Sequence, residues 1–194
     1  MRLVKRADWI CDYMKGKNVL DVGCVGRDFS LHRDLAENGH AKSLLGIDIN
    51  REGIEGMQRL GFNVECHDAE RYISPKKFDV VIMSKSISHL NNVGMALDCA
   101  YKNLRDDGRL VIITDNARFL GFVLNGTIGS DHNFIWSPSL MAHLLNEHGF
   151  TTIETQFFDY RSGRPNLTGR IYEGVFIKLF PKYTKHFGIV AEKE

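Results

Sequence analysis

Four short stretches place polar residues where an apolar run stops. The first, NVLDVGCVGRDFS at 18–30, sets Asp21 inside an apolar run, follows it with Gly23-Cys24-Val25-Gly26, and then opens a helix. The second, LLGIDIN, ends in Asp48, Ile49 and Asn50. The third, NVECHDAE, brings His67, Asp68, Ala69 and Glu70. The fourth, FDVVIMSKSISHL, brings Ser84, Lys85, Ser86 and then His89-Leu90. A glycine loop lets a ligand approach the backbone closely. A carboxylate after a second strand accepts both hydrogen bonds of a ribose diol. Asp68 in the same position one strand later accepts from an adenine amino group, and the Ala69 amide donates to the ring. Any one strand-end Asp reads equally as a helix cap or a turn. Two of them at successive strand ends, after a glycine loop, point to an adenosine-type ligand.

The loop lacks G-x-G-x-x-G. Val25 stands where glycine is usual, and Arg27-Asp28 follow in place of small residues. A pyrophosphate needs close backbone approach at a helix start, which glycine permits. A nucleotide-dependent oxidoreductase is therefore disfavoured, though it stands as an alternative. Arg27 either meets a ligand carboxylate or faces solvent beside Asp28.

These stretches need elements to position them. Leu3, Ala7, Ile10, Cys11 and Met14 recur at helical spacing, so an amphipathic helix opens the chain within 1–17. Strands are expected at 19–22, 44–49, 62–66, 79–83, 109–114, 152–158 and 186–191. Helices fall between them, one stopping at Gly39, one at Gly61, and one running from Ser137-Pro138 to Gly149. A further helix is expected over part of 170–180. Strands alternating with helices give an α/β fold with a mostly parallel sheet covered on both faces. The last two strands come together near the C-terminus, and one of them is expected to run antiparallel. The segment 116–136 has no clean period and is long for a structureless loop, which suggests a lid or binding segment.

The chain has 194 residues, 43% of them apolar, which suits a single domain over 1–194. Its 25 Lys+Arg against 24 Asp+Glu argue against a nucleic-acid partner. No apolar run approaches a membrane span, and the charged N-terminus lacks a signal-peptide core. The cysteines at 11, 24, 66 and 99 form no metal pattern and read as buried free thiols in a reducing cytoplasm. No metal is expected.

Taken in order, VLDVGCVG, LLGIDIN, NVECHDAE, FDVVIMSKSISHL and LRDDGRLVIITDN resemble the class I S-adenosylmethionine-dependent methyltransferases. The resemblance runs over about 19–158. It implies a Rossmann-like, mostly parallel seven-stranded sheet with helices on both faces and an antiparallel last strand. It implies S-adenosylmethionine as cofactor. Asp21, Gly23, Cys24, Val25 and Gly26 would then lie at its methionine part, Asp48 at the ribose and Ile49 on the adenine face. Asp68 and Ala69 would read the adenine edge, and Ser84 would set its backbone near the cofactor amino group. The irregular lid, the SPSLMAHLLNEHGF helix and the Pro-Lys turn before the last strand resemble members acting on small molecules, lipids or saccharides. O-methylation is the reaction expected, with a noncatalytic S-adenosylmethionine-binding module as a second alternative.

Methyl transfer to a hydroxyl needs alignment, and a base to remove the proton. Among eight histidines, His32, His40, His143 and His148 are expected on solvated helix surfaces or ends. His67 reads as structural, and His186 as lying far from the cofactor edge. His89, on the rim after the fourth strand, is the best single candidate for the base; the competing reading is a packing role at a helix start. His132, beside Asp131, reads as a loop histidine or a second candidate. Asn116, Arg118, Phe119, Phe122, Phe134 and Trp136 either line an acceptor pocket or pack on the sheet edge. Arg161, Arg164 and Arg170 suit an anionic acceptor or a solvated loop.

Overall fold

The structure is a computed structural model that describes residues 6–26, 28–119, 122–123, 132–158 and 179–194. It contains β1 (Asn18–Val22), β2 (Ser43–Asp48), β3 (Val64–Cys66), β4 (Phe78–Ser84), β5 (Leu104–Asp115), β6 (Phe150–Phe158) and β7 (His186–Lys193). The strands form one seven-stranded sheet in the order β3-β2-β1-β4-β5-β7-β6. β1 to β5 pair in parallel, and β7 runs antiparallel to both β5 and β6. The expected α/β sheet with a reversed last strand is therefore the one observed. The order reverses at β1, where β2 leaves to one side and β4 to the other, so the carboxyl ends of β1 and β4 border a crevice.

The strands are apolar on both faces because both faces are covered. Val19 of β1, Val80 and Ile82 of β4, and Val111 and Ile113 of β5 pack under α1 (Arg6–Met14) and α2 (Ser30–Asn38), which contribute Trp9, Ile10, Met14 and Leu35. The alternate residues Leu20, Val81, Met83, Leu110 and Ile112 face the other way. They meet α4 (Val93–Asn103) and α5 (Pro138–Glu147) through Ala96, Leu97, Met141 and Leu145. α3 (Arg51–Arg59) buries Ile54 and Met57 in a third, smaller cluster with Val64 and the glycine loop.

The helix ends follow the local sequence. The Ser137 hydroxyl accepts from the Leu140 amide with proline at the first helical position, and Gly149 closes the helix at φ 78°. β5 begins earlier than the sequence suggests: Phe78 pairs with Leu104, yet Val80 pairs with Arg109. The residues between Leu104 and Arg109, Asp107-Gly108 among them, are thus an excursion within β5. The helix expected over 170–180 lies almost wholly outside the described residues. Among the described residues, no helix is long and apolar enough to cross a membrane.

Candidate active site

The carboxyl ends of β1 to β4 carry the four polar stretches to one edge. Gly23 and Gly26 take left-handed backbone conformations, at φ 84° and 52°. A Cβ at Gly23 would lie 2.6 Å from the Cβ of Ser86, so the loop after β1 touches the segment after β4. The Gly23 and Cys24 amides donate to the Ile47 carbonyl at 2.8 and 3.2 Å, tying the loop to β2. Val25 explains its own departure from glycine. Its side chain is buried with Ile54 and Met57, and Gly53 of α3 leaves it room, since a Cβ there would stand 2.5 Å from a Val25 methyl. Its amide donates to Asp48 Oδ2 at 3.1 Å. Asp48 Oδ1 accepts from the Asn50 amide at 2.9 Å. An ionised carboxylate has about four acceptor sites, so capacity remains for a diol.

Ile49, next to Asp48, is 73% exposed, an unusual state for a large apolar residue beside a crevice. Asp68 Oδ1 accepts from the Glu70 amide at 2.9 Å, and the Asp68 carbonyl accepts from the Arg71 and Tyr72 amides. Ala69 packs half-buried against the core. The Ser84 and Ser86 hydroxyls are buried and have no hydrogen-bond partner among the described residues. Buried hydroxyls are normally satisfied. A left-handed glycine loop, an exposed apolar face, a carboxylate with spare acceptors and two waiting hydroxyls suit a nucleoside carrying a polar amino-acid tail. Beneath them, Asp21 is only 2% exposed and binds His32 Nδ1 at 2.8 Å. Burial pushes the Cys24 thiol well above its ordinary range.

The ends of β4, β5 and β7 hold a second constellation. Asp115, the last residue of β5, receives three side chains. Lys85 Nζ lies 2.6 Å and His132 Nε2 3.0 Å from its Oδ2, and His186 Nε2 lies 3.1 Å from its Oδ1. Burial opposes ionisation of Asp115, but bonds from His186 and Lys85 outweigh it and hold the carboxyl well below its usual range. Burial pushes the Lys85 ammonium down to about 8 against the attraction of Asp115, with Lys185 and Arg6 pushing the same way. Burial also pushes His186 down to about 4, so it is neutral at pH 7 and donates its Nε2 hydrogen to Asp115. Lys85 holds φ at 67°, a conformation that side chains rarely adopt outside functional turns.

The family-model comparison decides between the readings of this crevice: the model described as a methyltransferase domain matches residues 8–155, well over half of the chain. The chain belongs to the methyltransferase domain family. Its cofactor is S-adenosylmethionine. The domain is 31% identical over 122 residues to a mitochondrial ubiquinone biosynthesis O-methyltransferase of Rattus norvegicus, covering 57% of this chain and 34% of that protein. It is 25% identical over 131 residues to a ubiquinone biosynthesis O-methyltransferase of Pelagibacter ubique, covering 64% and 52%. The chain thus spans about a third to a half of the length of these relatives. A crystal structure of a SAM-dependent methyltransferase from Archaeoglobus fulgidus superimposes with a TM-score of 0.69 at 25% identity, over 94% of this chain and 89% of that one. A nucleotide-dependent oxidoreductase loses its footing, since the match is to methyltransferases.

Several expectations need correction for this methyltransferase domain. His32 is buried at 1% exposure rather than solvated, because α2 turns it onto the Asp21 carboxylate. His148 binds Asp98 at 2.7 Å rather than standing in water. His186 does not lie far from the cofactor edge: β7 runs backwards, so its first residue pairs with Asp115 at the carboxyl end of β5. Asn116 does not line a pocket. It is fully buried and donates to the Lys182 and Thr184 carbonyls at 3.0 and 2.8 Å, a latch between the end of β5 and the approach to β7. Trp136 is buried at 7% exposure, and the Ala117 amide donates to its carbonyl at 2.8 Å, pinning the two ends of 116–136 together. Phe134 remains 37% exposed, and Phe119 meets Phe122 edge-on at 5.2 Å. Cys11 and Cys66 are half-buried, unlike the buried Cys24 and Cys99, and all four are free. Arg27, Asp131, Arg161, Arg164 and Arg170 lie outside the described residues. Sequence reasoning placed Lys85 after the fourth strand but missed Asp115, its partner at the end of β5.

Proposed function

We propose that the chain transfers a methyl group to a hydroxyl of a small-molecule, lipid or saccharide acceptor. The cofactor supplies a methyl group already activated by the sulfonium, leaving the protein to bind, align and handle a proton. In this reading the loop of Gly23, Cys24, Val25 and Gly26, held from below by Asp21, carries the methionine part. Asp48 takes the ribose diol, Ile49 the adenine face, and Asp68 with Ala69 the adenine edge. Ser84 meets the amino group. His89, exposed on the turn after β4, removes the acceptor's proton.

The observation that carries the reading is the convergence of four strand ends on one edge, with two buried serine hydroxyls that have no partner among the described residues opposite a left-handed glycine loop. The names of the relatives support oxygen as the methylated atom. Calorimetry with S-adenosylhomocysteine and with NAD tests the cofactor half. Binding of the first and weak or absent binding of the second is expected, and tighter NAD binding sinks the assignment. A screen of phenols, sugars and lipid alcohols for release of S-adenosylhomocysteine tests the acceptor half. Cofactor binding with no transfer to any of them would favour a noncatalytic module.

A further inference from the structure

His89 does not stand by itself on the rim. Its ring stacks on that of His132, with centroids 4.8 Å apart and planes tilted by 38°. His132 Nε2 is 3.0 Å from Asp115 Oδ2. The far end of 116–136 is stitched onto the turn that carries His89. The Asn133 and Phe134 amides donate to the Ser88 carbonyl at 2.8 and 3.2 Å, and Asn133 Nδ2 donates to the His89 and Leu90 carbonyls at 3.1 Å. Behind this, Ser88 and Thr114 share a buried hydroxyl–hydroxyl bond of 2.8 Å. Three chain segments far apart in sequence are thus locked around two imidazoles and one carboxylate.

We propose that His89, His132 and Asp115 form one proton-accepting stack, in which His89 is the catalytic base and His132 and Asp115 are positioning residues. This rests on the methyltransferase reading above and names how its base is built. In the step, the acceptor's O–H bond breaks and its proton passes to a His89 ring nitrogen. The freed oxygen pair forms the bond to the methyl carbon, and sulfur keeps the pair of the broken carbon–sulfur bond. The positive charge that appears on His89 then lies over a ring anchored to a carboxylate. The two rings lie close enough that charge on one bears on the other. Lys85 and His186 are the other groups bonded to the carboxylate, and Lys185 and Arg6 act on Lys85 from further out. Asp115 therefore orients His132 through the 3.0 Å bond, and His132 orients His89 through the ring contact.

The test needs no acceptor. The chain without cofactor, carrying isotopically labelled histidine, is titrated by NMR while the His89 and His132 ring signals are followed. His132→Phe keeps an aromatic ring under His89 but removes its charge. In His132→Phe, and likewise in Asp115→Asn, we expect the His89 titration curve to differ from that of the unaltered chain, as for any site whose coupled partner is changed. Midpoints of His89 unchanged within about 0.2 units in His132→Phe would overturn the stack, since coupled sites cannot titrate independently. If Asp115→Asn does not fold, the His132→Phe comparison remains decisive. Calorimetry with S-adenosylhomocysteine on the same samples separates the two ideas: intact binding with uncoupled histidines refutes the stack alone, and absent binding refutes the underlying reading.

Discussion

The two halves of the site are built on opposite principles. The cofactor half, at the ends of β1 to β3, is local: its backbone amides and carboxylates bond within a few residues or to the adjacent strand, as Asp48 does to Asn50 and Val25. It presents open surface, with Ile49 73% exposed. The acceptor half, at the ends of β4, β5 and β7, gathers residues 85, 115, 132 and 186 around one buried carboxylate. A bound nucleoside needs a surface that accepts it without rearrangement. Proton removal needs a charge held in a fixed, partly dry place, where electrostatic effects are strong. One sheet edge carries both regions because β7 is reversed and sets its first residue beside the end of β5.

The largest effect that would sharpen this contrast is kinetic. His89→Ala should lower turnover about 10²–10⁴-fold while leaving cofactor affinity nearly unchanged. Full activity in that variant would leave alignment as the only contribution of the acceptor half. Next comes Asp115→Ala. It leaves a part-buried Lys85 without its counter-charge, at a cost of about 3 kcal/mol, enough to lower the melting temperature by about 6–12 °C. A fall of under about 2 °C, equivalent to well below 1 kcal/mol, would mean that water replaces the carboxylate freely.

The pH dependence of stability follows from His186. Its ordinary value is 6.5 and its folded value is about 4. Between these the unfolded chain binds a proton that the folded chain refuses. Stability therefore falls as the pH drops from about 6.5 to about 4, by on the order of 3 kcal/mol. Asp115, held below its usual range, adds a loss in the same direction at still lower pH. Melting curves across this range check the slope, and His186→Asn should flatten it. An equally steep slope in that variant would place the acid sensitivity elsewhere.

The contrast also explains what the sequence made legible. The glycine loop, Asp48, Asp68 and Ser84 stand directly after apolar runs, and the structure places each at or just after a strand end, as that short-range pattern implies. The reversed β7 was legible through the family resemblance, which implies an antiparallel last strand. The Asp115 cluster was not, because no spacing in the chain relates 85, 115, 132 and 186; only the sheet order does. His32 was misplaced for a related reason. A helical period marks an apolar face, but it gives no sign that a buried acid across the interface will accept a histidine there. Asn116 stayed open between a pocket and a packing role because a polar residue in an irregular segment looks like a ligand group until its backbone partners are known.

The most direct test of the central claim is the affinity for S-adenosylhomocysteine of Asp48→Ala, measured by calorimetry beside the unaltered chain, with circular dichroism confirming the fold. Removing a charged hydrogen-bond acceptor from the ribose should cost about 2–3 kcal/mol, or roughly 30–150-fold in affinity. An unchanged affinity in a folded variant would contradict the account, and would leave Asp48 as a clasp between Val25 and Asn50 rather than a cofactor ligand.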